Sequence, residues 1–315
     1  MTGRPTTSAR VWLSPETPGA LADAVLRAGG EIVPADRANA ILWYAYSALG
    51  PADVQLVRSL LRDSVEWVQL NSAGVEEWFE LALVDAARVW TSAAGAFAAA
   101  VAEHIVALLL AAAKRLPECA RADSWRKPEL EGRPLAGSTI GIVGAGAIGR
   151  QTIRRLEPFG VRVIASTRSG TAVPGAERSL APGDLDELLA ASDYVVLCAP
   201  LTPETHGLIG ARELDLVGPR GVLVNVGRGA LVDTDALVAA LRSSRLGGAF
   251  LDVTEPEPLP TGHPLWSEPR ALITPHVANT RAQLDAALVR RVEQNVARFR
   301  AGEPLLGVID PVAGY

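Results

Sequence analysis

The sequence predicts an α/β protein whose larger part is a doubly wound parallel sheet, and three observations carry that expectation. The stretch Ile140-Gly-Ile-Val-Gly144-Ala-Gly146-Ala147-Ile148-Gly149-Arg150 leads an apolar run through three glycines into an amphipathic run, the pattern of strand, tight turn and helix. From Arg10 to Trp90 short apolar runs alternate with helical stretches, as they do when helices wrap a parallel sheet. Between residues 222 and 276 three further apolar runs each open into a loop that carries one conspicuous polar residue.

Composition sets the bounds. A chain of 315 residues suits two domains at roughly 150 residues each, and 49% hydrophobic content can fill both cores. Only 5% of residues are aromatic, so Ala, Val and Leu do most of the packing. The formal charge of -5, from 30 basic and 35 acidic residues spread along the chain, offers no cationic face and argues against nucleic acid as a partner. Cys119 and Cys198 lack metal-ligand spacing partners, so the expectation is no metal, no disulfide framework and a reducing compartment. The first eight residues lack an apolar signal core, and the run Ile105 to Ala113 is far short of the roughly 20 residues of a membrane span. These features point to a cytoplasmic protein without a membrane partner.

In chain order, strands are expected at Val11–Leu13, Ile32–Val33, Ile41–Trp43 and Trp67–Leu70, with helices near Gly19–Ala28 and Ala52–Leu61. The small residues of Asn71-Ser72-Ala73-Gly74-Val75 can present backbone amides to a carboxylate; an ordinary strand-to-helix turn is the alternative. Trp43-Tyr44-Ala45-Tyr46 ends a strand and reads as core or as the rim of a cleft. Ala98 to Arg115 is a long helix apolar on most faces, suited to burial between domains or in a subunit contact, with His104 read as packed on the helix face. Pro117 to Leu135, rich in charge and proline, reads as a connector.

The glycine turn then has a distinct job for each glycine. Gly144 turns where a Cβ would clash, Gly146 lets backbone approach a pyrophosphate, and Gly149 lets the new helix pack on its strand. The helix begins at Ala147 and Ile148, whose free amides face an anion, and runs to Phe159 before Gly160 stops it. The next strand, Val161–Ala165, ends at Ser166-Thr167-Arg168-Ser169, where a site for NAD carries an acidic residue. A carboxylate would accept from a ribose 2′-hydroxyl, whereas Thr167, Arg168 and Ser169 suit a 2′-phosphate, so NADP is favoured and NAD kept open; a solvated arginine is the bland alternative. Helix Asp184–Ala190 and strand Tyr194–Leu197 follow. Cys198, Ala199, Pro200 and Thr205 beyond that strand, and Val226 and Gly227 at the end of the next, are assigned to the cofactor edge, with His206 a helix cap or cofactor rim.

The last three strands carry the chemistry. Strand Val222–Val226 releases Gly227-Arg228-Gly229; helix Thr234–Arg242 returns the chain to Gly248–Val253 and its exit Thr254-Glu255-Pro256-Glu257-Pro258; Ala271–Thr274 opens at Pro275-His276. All carboxyl ends of a parallel doubly wound sheet share one edge, so Arg228, Glu257 and His276 should converge there. Reduction of a 2-oxo acid needs a proton donor at the carbonyl oxygen, for which His276 is the candidate. Glu257 favours the imidazolium form, and the planar fork of Arg228 grips the substrate carboxylate.

These pieces, with Val101-Ala-Glu-His104 and Ser72-Ala-Gly-Val75, resemble the D-isomer-specific 2-hydroxyacid dehydrogenases. The resemblance implies a Rossmann cofactor domain, 98–281, inserted into a smaller flavodoxin-like substrate domain, 1–97 with 282–315, and a homodimer built around the Ala98 helix. It assigns Arg228, Glu257 and His276 the catalytic places, with Glu255 as the fallback for Glu257. It sets Asp252 at the nicotinamide carboxamide, and Ala73 and Gly74 at the substrate carboxylate. Thr167-Arg168 in place of an acidic residue is similar to the NADPH-dependent glyoxylate and hydroxypyruvate reductases, and Trp43 to the tryptophan of that branch's substrate pocket. The expected partner is a small 2-oxo or 2-hydroxy acid. Two alternatives stand beside it: a phosphoglycerate dehydrogenase-like activity with NAD, and a non-catalytic NAD(H)-sensing protein like the corepressors on this fold.

Overall fold

A computed structural model describes residues 8–45 and 48–314, which leaves Tyr46 outside the described residues. The chain forms two compact units, one drawn from its two ends up to Phe97 and from Arg281, the other from Ala98 to Thr280.

In the first unit β1 (Arg10–Leu13), α1 (Gly19–Arg27), β2 (Glu31–Ile32), β3 (Ala40–Trp43), α2 (Pro51–Leu60), β4 (Trp67–Leu70), α3 (Glu76–Glu80) and β5 (Val89–Thr91) build a parallel sheet in the order β2-β1-β3-β4-β5. The side chains of β3 alternate between two cores. Ala40 and Leu42 join Val11 and Val25 on one face; Ile41 and Trp43 join Val57 and Trp78 on the other. A strand covered on both faces reads as an unbroken apolar run, which is why periodicity alone finds it. Strand β5, by contrast, is only three residues long, too short for a period to announce it.

The second unit opens with α4 (Ala98–Ala113) and α5 (Leu116–Ala120), the latter inside what composition makes a plain connector. Then come β6 (Thr139–Val143), α6 (Ala147–Leu156), β7 (Arg162–Ser166), β8 (Arg178–Leu180), α7 (Leu185–Ala190), β9 (Tyr194–Leu197), α8 (Ala211–Val217), β10 (Val222–Asn225), α9 (Thr234–Arg242), β11 (Gly248–Leu251), α10 (Pro264–Ser267) and β12 (Ala271–Ile273). The seven strands lie parallel in the order β12-β11-β10-β9-β6-β7-β8. From β6 the chain winds outward one way to β8, then crosses back to β9 and winds the other way to β12. The crevice between β6 and β9 is therefore the topological switch point, where ligands of such sheets bind. Helix α6 stops three residues before Phe159, because Pro158 lacks an amide proton for the α-helical ladder and the last turn tightens to a 3-10 turn capped by Gly160 at φ +64°. Among the described residues no helix is long and apolar enough to cross a membrane.

The chain returns to the first unit through α11 (Arg281–Ala301), whose Leu288, Val292 and Val296 pack against Leu21, Val25 and Val11. A buried polar network fixes that return. Asn295 donates to Gln69 Oε1 at 2.8 Å and to the Leu306 carbonyl at 3.0 Å, and accepts from the Leu306 amide at 2.8 Å. Thr91 donates to Gln69 Oε1 at 3.0 Å and accepts from Trp67 Nε1 at 2.8 Å. Asn295 is fully buried, so Asn295→Ala strands the Leu306 amide and carbonyl and leaves Gln69 Oε1 with the Thr91 hydroxyl alone; denaturant unfolding should show a loss of about 2–4 kcal/mol. A loss near zero would mean that water replaces the amide.

Candidate active site

At the switch point the three glycines meet three different surroundings. Gly144 has φ +90°, and a Cβ on it would stand 2.5 Å from Ala199 Cα, so the turn and the start of the β9 exit loop approach as only glycine permits. Gly149 lies against Ile142 of β6, where an added Cβ would meet Cγ2 at 3.1 Å. Gly146 has nothing within 4 Å of such a Cβ: the space in front of α6 is open. Gly146 and Ala147 are exposed there and Ile148 is half-buried. Cys198 ties the two loops together, its thiol donating to the Gly144 carbonyl at 3.1 Å. Burial pushes that thiol up to about 12, so it remains protonated and inert.

The β7 exit supplies Thr167, half-buried, and Arg168 and Ser169, both exposed. The Thr167 hydroxyl is buried without a partner, and Ser169 Oγ lies 2.9 Å from Thr171 Oγ1. A carboxylate is absent from this stretch, 166–171. Beyond β9, Thr205 donates to the Pro200 carbonyl at 2.7 Å and accepts from the Thr202 amide at 2.8 Å. Its hydroxyl thus shapes the loop that Pro200 begins.

Three neighbouring strands, β10, β11 and β12, deliver Arg228, Glu257 and His276 from their carboxyl ends. Asn225 closes the first loop by accepting from the Gly227 amide at 3.1 Å and donating to the Arg228 carbonyl at 2.9 Å. Arg228 is half-buried and donates to the Gly227 carbonyl at 2.7 Å. Gly229 then passes so close to the next loop that a Cβ would overlap the Thr254 carbonyl, and Thr234 Oγ1 donates to the Glu255 carbonyl at 2.7 Å. The Arg228 and Glu257 loops are in this way braced backbone against backbone. His276 adopts φ +52°, a left-handed conformation uncommon for a residue with a Cβ. Its Nδ1 lies 2.6 Å from Glu257 Oε1, with both side chains about half exposed. Glu257, not Glu255, makes this contact.

Beneath the pair sits Asp252, 2% exposed. One carboxylate oxygen accepts from Thr274 Oγ1 at 2.6 Å and the Val277 amide at 3.0 Å, the other from the Ala278 amide at 3.1 Å. Burial alone would raise this carboxyl; hydrogen bonds from His104, Thr274 and the two amides outweigh it and hold the group below the usual carboxylate range.

Several residues stand elsewhere than their sequence pattern suggests. Trp43, expected as core or substrate-pocket wall, is 3% exposed within an aromatic cluster, 6.4 Å from Trp12 and 6.0 Å from Trp78 between ring centroids. Its surroundings correct the pocket-wall assignment: a ring enclosed by other tryptophans is core. His206 caps no helix, since the N-terminus of α8 is closed by Glu213 on Gly210. Instead His206 is exposed and lines a shallow cavity of about 360 Å³ with Asp233, Asp235, Glu255 and His263. Ala73 is exposed and Gly74 half-buried in a turn tied by Ser72 Oγ donating to the Gly74 carbonyl at 2.7 Å. Asn225 and Thr274 gave no signal beyond a polar residue at the end of an apolar strand. His104 is bonded to Thr274, at 3.0 Å, rather than satisfied by packing. Among the described residues no group of three His, Cys, Asp or Glu could hold a metal ion.

Known proteins match this chain in sequence and in fold. The family model "D-isomer specific 2-hydroxyacid dehydrogenase, NAD binding domain" matches residues 106–278. A protein of the proB 3′ region of Corynebacterium melassecola is 39% identical over 259 residues, 81% of this chain and 85% of that one. A glyoxylate reductase of Thermococcus gammatolerans is 39% identical over 216 residues, 65% of this chain and 64% of that one. Among solved structures, a D-isomer specific 2-hydroxyacid dehydrogenase of Xanthobacter autotrophicus Py2 in complex with NADPH and MES superposes with a TM-score of 0.84 at 27% identity, covering 98% of this chain and 100% of that one. With a family model spanning more than half its length and a fold shared end to end, the chain belongs to the D-isomer specific 2-hydroxyacid dehydrogenase family of NAD(P)-dependent oxidoreductases.

Proposed function

We propose that this chain is an NADPH-preferring reductase of a small 2-oxo acid of the glyoxylate or hydroxypyruvate kind, giving the D-2-hydroxy acid. The observation that carries the chemistry is the 2.6 Å contact between His276 Nδ1 and Glu257 Oε1 on loops from neighbouring parallel strands. The glyoxylate reductase name of one relative and the NADPH held by one structural neighbour support the same reading.

The residues present fit a dinucleotide. The open space at Gly146 takes a pyrophosphate against the start of α6, whose first-turn amides have no intrahelical partners. Ala147, Ile148 and Gly149 supply that turn; Cys198, Ala199, Pro200, Thr205, Val226 and Gly227 line the same sheet edge, and Asp252 backs it. When bound, NADPH supplies the hydride that the carbonyl carbon receives. Arg228 holds the substrate carboxylate through its guanidinium fork and fixes the angle of the carbonyl. Glu257 accepts from His276 Nδ1, which leaves Nε2 as the proton donor for the carbonyl oxygen. In the first unit, the Ala73 and Gly74 amides are the proposed donors to a carboxylate. A homodimer is the proposed assembly, in keeping with Trp125 at 96% and Leu116 at 52% exposure just beyond α4.

The preference for NADPH rests on the β7 exit, where Arg168 and Ser169 are exposed and the stretch 166–171 carries no carboxylate of its own. In Arg168→Asp the new carboxylate accepts from the ribose 2′-hydroxyl and repels the phosphate. Initial rates with both cofactors should show the ratio of kcat/KM for NADPH over NADH falling by about 10²-fold, or roughly 2.8 kcal/mol at 1.4 kcal/mol per tenfold change. An unchanged ratio would refute the 2′-phosphate argument.

A further inference from the structure

His104, on α4, takes no part in the reaction scheme and lies 170 residues before its partner in sequence. Its Nε2 is 3.0 Å from Thr274 Oγ1 and 3.4 Å from Asp252 Oδ1, and its side chain is 19% exposed. The protonation at that nitrogen follows from counting donors. The Thr274 hydroxyl has one proton, which it gives to Asp252 Oδ1 at 2.6 Å, so toward His104 it can only accept. His104 Nε2 must therefore carry a proton, whichever of the two oxygens it serves.

What those oxygens hold is the loop of His276. Asp252 accepts from the amides of Val277 and Ala278, the two residues after His276, and its backbone carbonyl accepts from the His276 amide at 2.8 Å. The Thr274 carbonyl accepts from the same His276 amide at 2.9 Å. Three successive amides, of His276, Val277 and Ala278, are thus held by Asp252 and Thr274 around a residue at φ +52°, a conformation that persists only where the surroundings over-determine it. Helix α4 packs along α6, so His104 is mounted on a long helix rather than on a loop.

We propose that His104 is a positioning residue: its Nε2–H steadies Thr274 and Asp252, which in turn fix the His276 loop so that the imidazole meets Glu257. This rests on the reading of His276 as proton donor, and it adds a third layer behind it. Removing the donor leaves the Thr274 and Asp252 oxygens short of a partner beneath the loop, and a small drift there moves the ring out of line with Glu257. Misplacement of a reacting group by about 1 Å can cost about a hundredfold in rate.

The test compares His104→Leu, which keeps volume and removes the donor, with His104→Gln, which restores an N–H near the Nε2 position. Amide hydrogen exchange at Val277 and Ala278, measured on the protein without cofactor, should accelerate about tenfold or more in His104→Leu and return most of the way in His104→Gln. With NADPH and glyoxylate or hydroxypyruvate, kcat should fall about tenfold to a hundredfold in His104→Leu while KM for NADPH changes less than about threefold, and His104→Gln should recover it. Unchanged exchange in His104→Leu, or a glutamine variant no better than the leucine one, would overturn the positioning role. If wild type turns over no 2-oxo acid, the assigned reaction falls, while the exchange comparison still decides whether His104 holds the loop.

Discussion

Replacing His276 by Asn should lower kcat for 2-oxo acid reduction by about 10²–10⁴-fold, the span that one positioned general acid contributes. Asparagine is the informative substitution because it tolerates the left-handed backbone at φ +52° that alanine would strain. The loop anchors are backbone amides and the Asp252 carboxylate, so they survive the change. Binding of NADPH, followed by its fluorescence, should stay within about threefold of wild type, since the proposed pyrophosphate site at Gly146 lies at a different strand exit. Loss of cofactor binding instead would give His276 a role in holding the nucleotide.

A second large effect is expected at a residue with no side chain. Gly229 faces the Thr254 carbonyl at a separation that leaves no room for a Cβ, and the obstructing atoms are backbone, not the end of a flexible chain. Gly229→Ala must push apart the loop that carries Arg228 and the loop that carries Glu257. Asn225 fixes the Arg228 loop from within, and Thr234 ties that same segment to the Glu255 carbonyl, so a forced separation at Gly229 is passed on to the side chains the two loops carry. We expect kcat/KM to fall about a hundredfold or more, with KM for the 2-oxo acid rising because the guanidinium fork no longer matches the carboxylate. Activity within about threefold of wild type would show that the two loops need no fixed spacing.

How much of this was legible beforehand depended on the range of the signal. Strands covered on both faces, such as β3, β6 and β9, are unbroken apolar runs, and the glycine spacing at 144, 146 and 149 reports a local backbone demand, so both can be read in a short window. Arg228, Glu257 and His276 are brought to one edge by parallel topology, and strand order is inferable once the strands are. Trp43 fails this logic. An aromatic at a strand end looks alike whether it lines a cleft or joins a cluster, and only the positions of Trp12 and Trp78 separate the two. His104 fails for another reason, because its partner Thr274 is 170 residues away and hydrogen bonds between side chains leave no periodicity. The same holds for Asn295 and Gln69, whose contact spans 226 residues and ties the C-terminal helix into the first sheet.

The most direct measurement is a single reaction with its product assigned: purified protein, NADPH and hydroxypyruvate, following loss of the reduced nicotinamide absorbance and resolving the glycerate formed on a chiral column. Consumption of NADPH matched by D-glycerate, and abolished in the His276 variant, is the predicted result. No consumption with hydroxypyruvate or glyoxylate under either cofactor, or a racemic or L product, would contradict the assigned reaction.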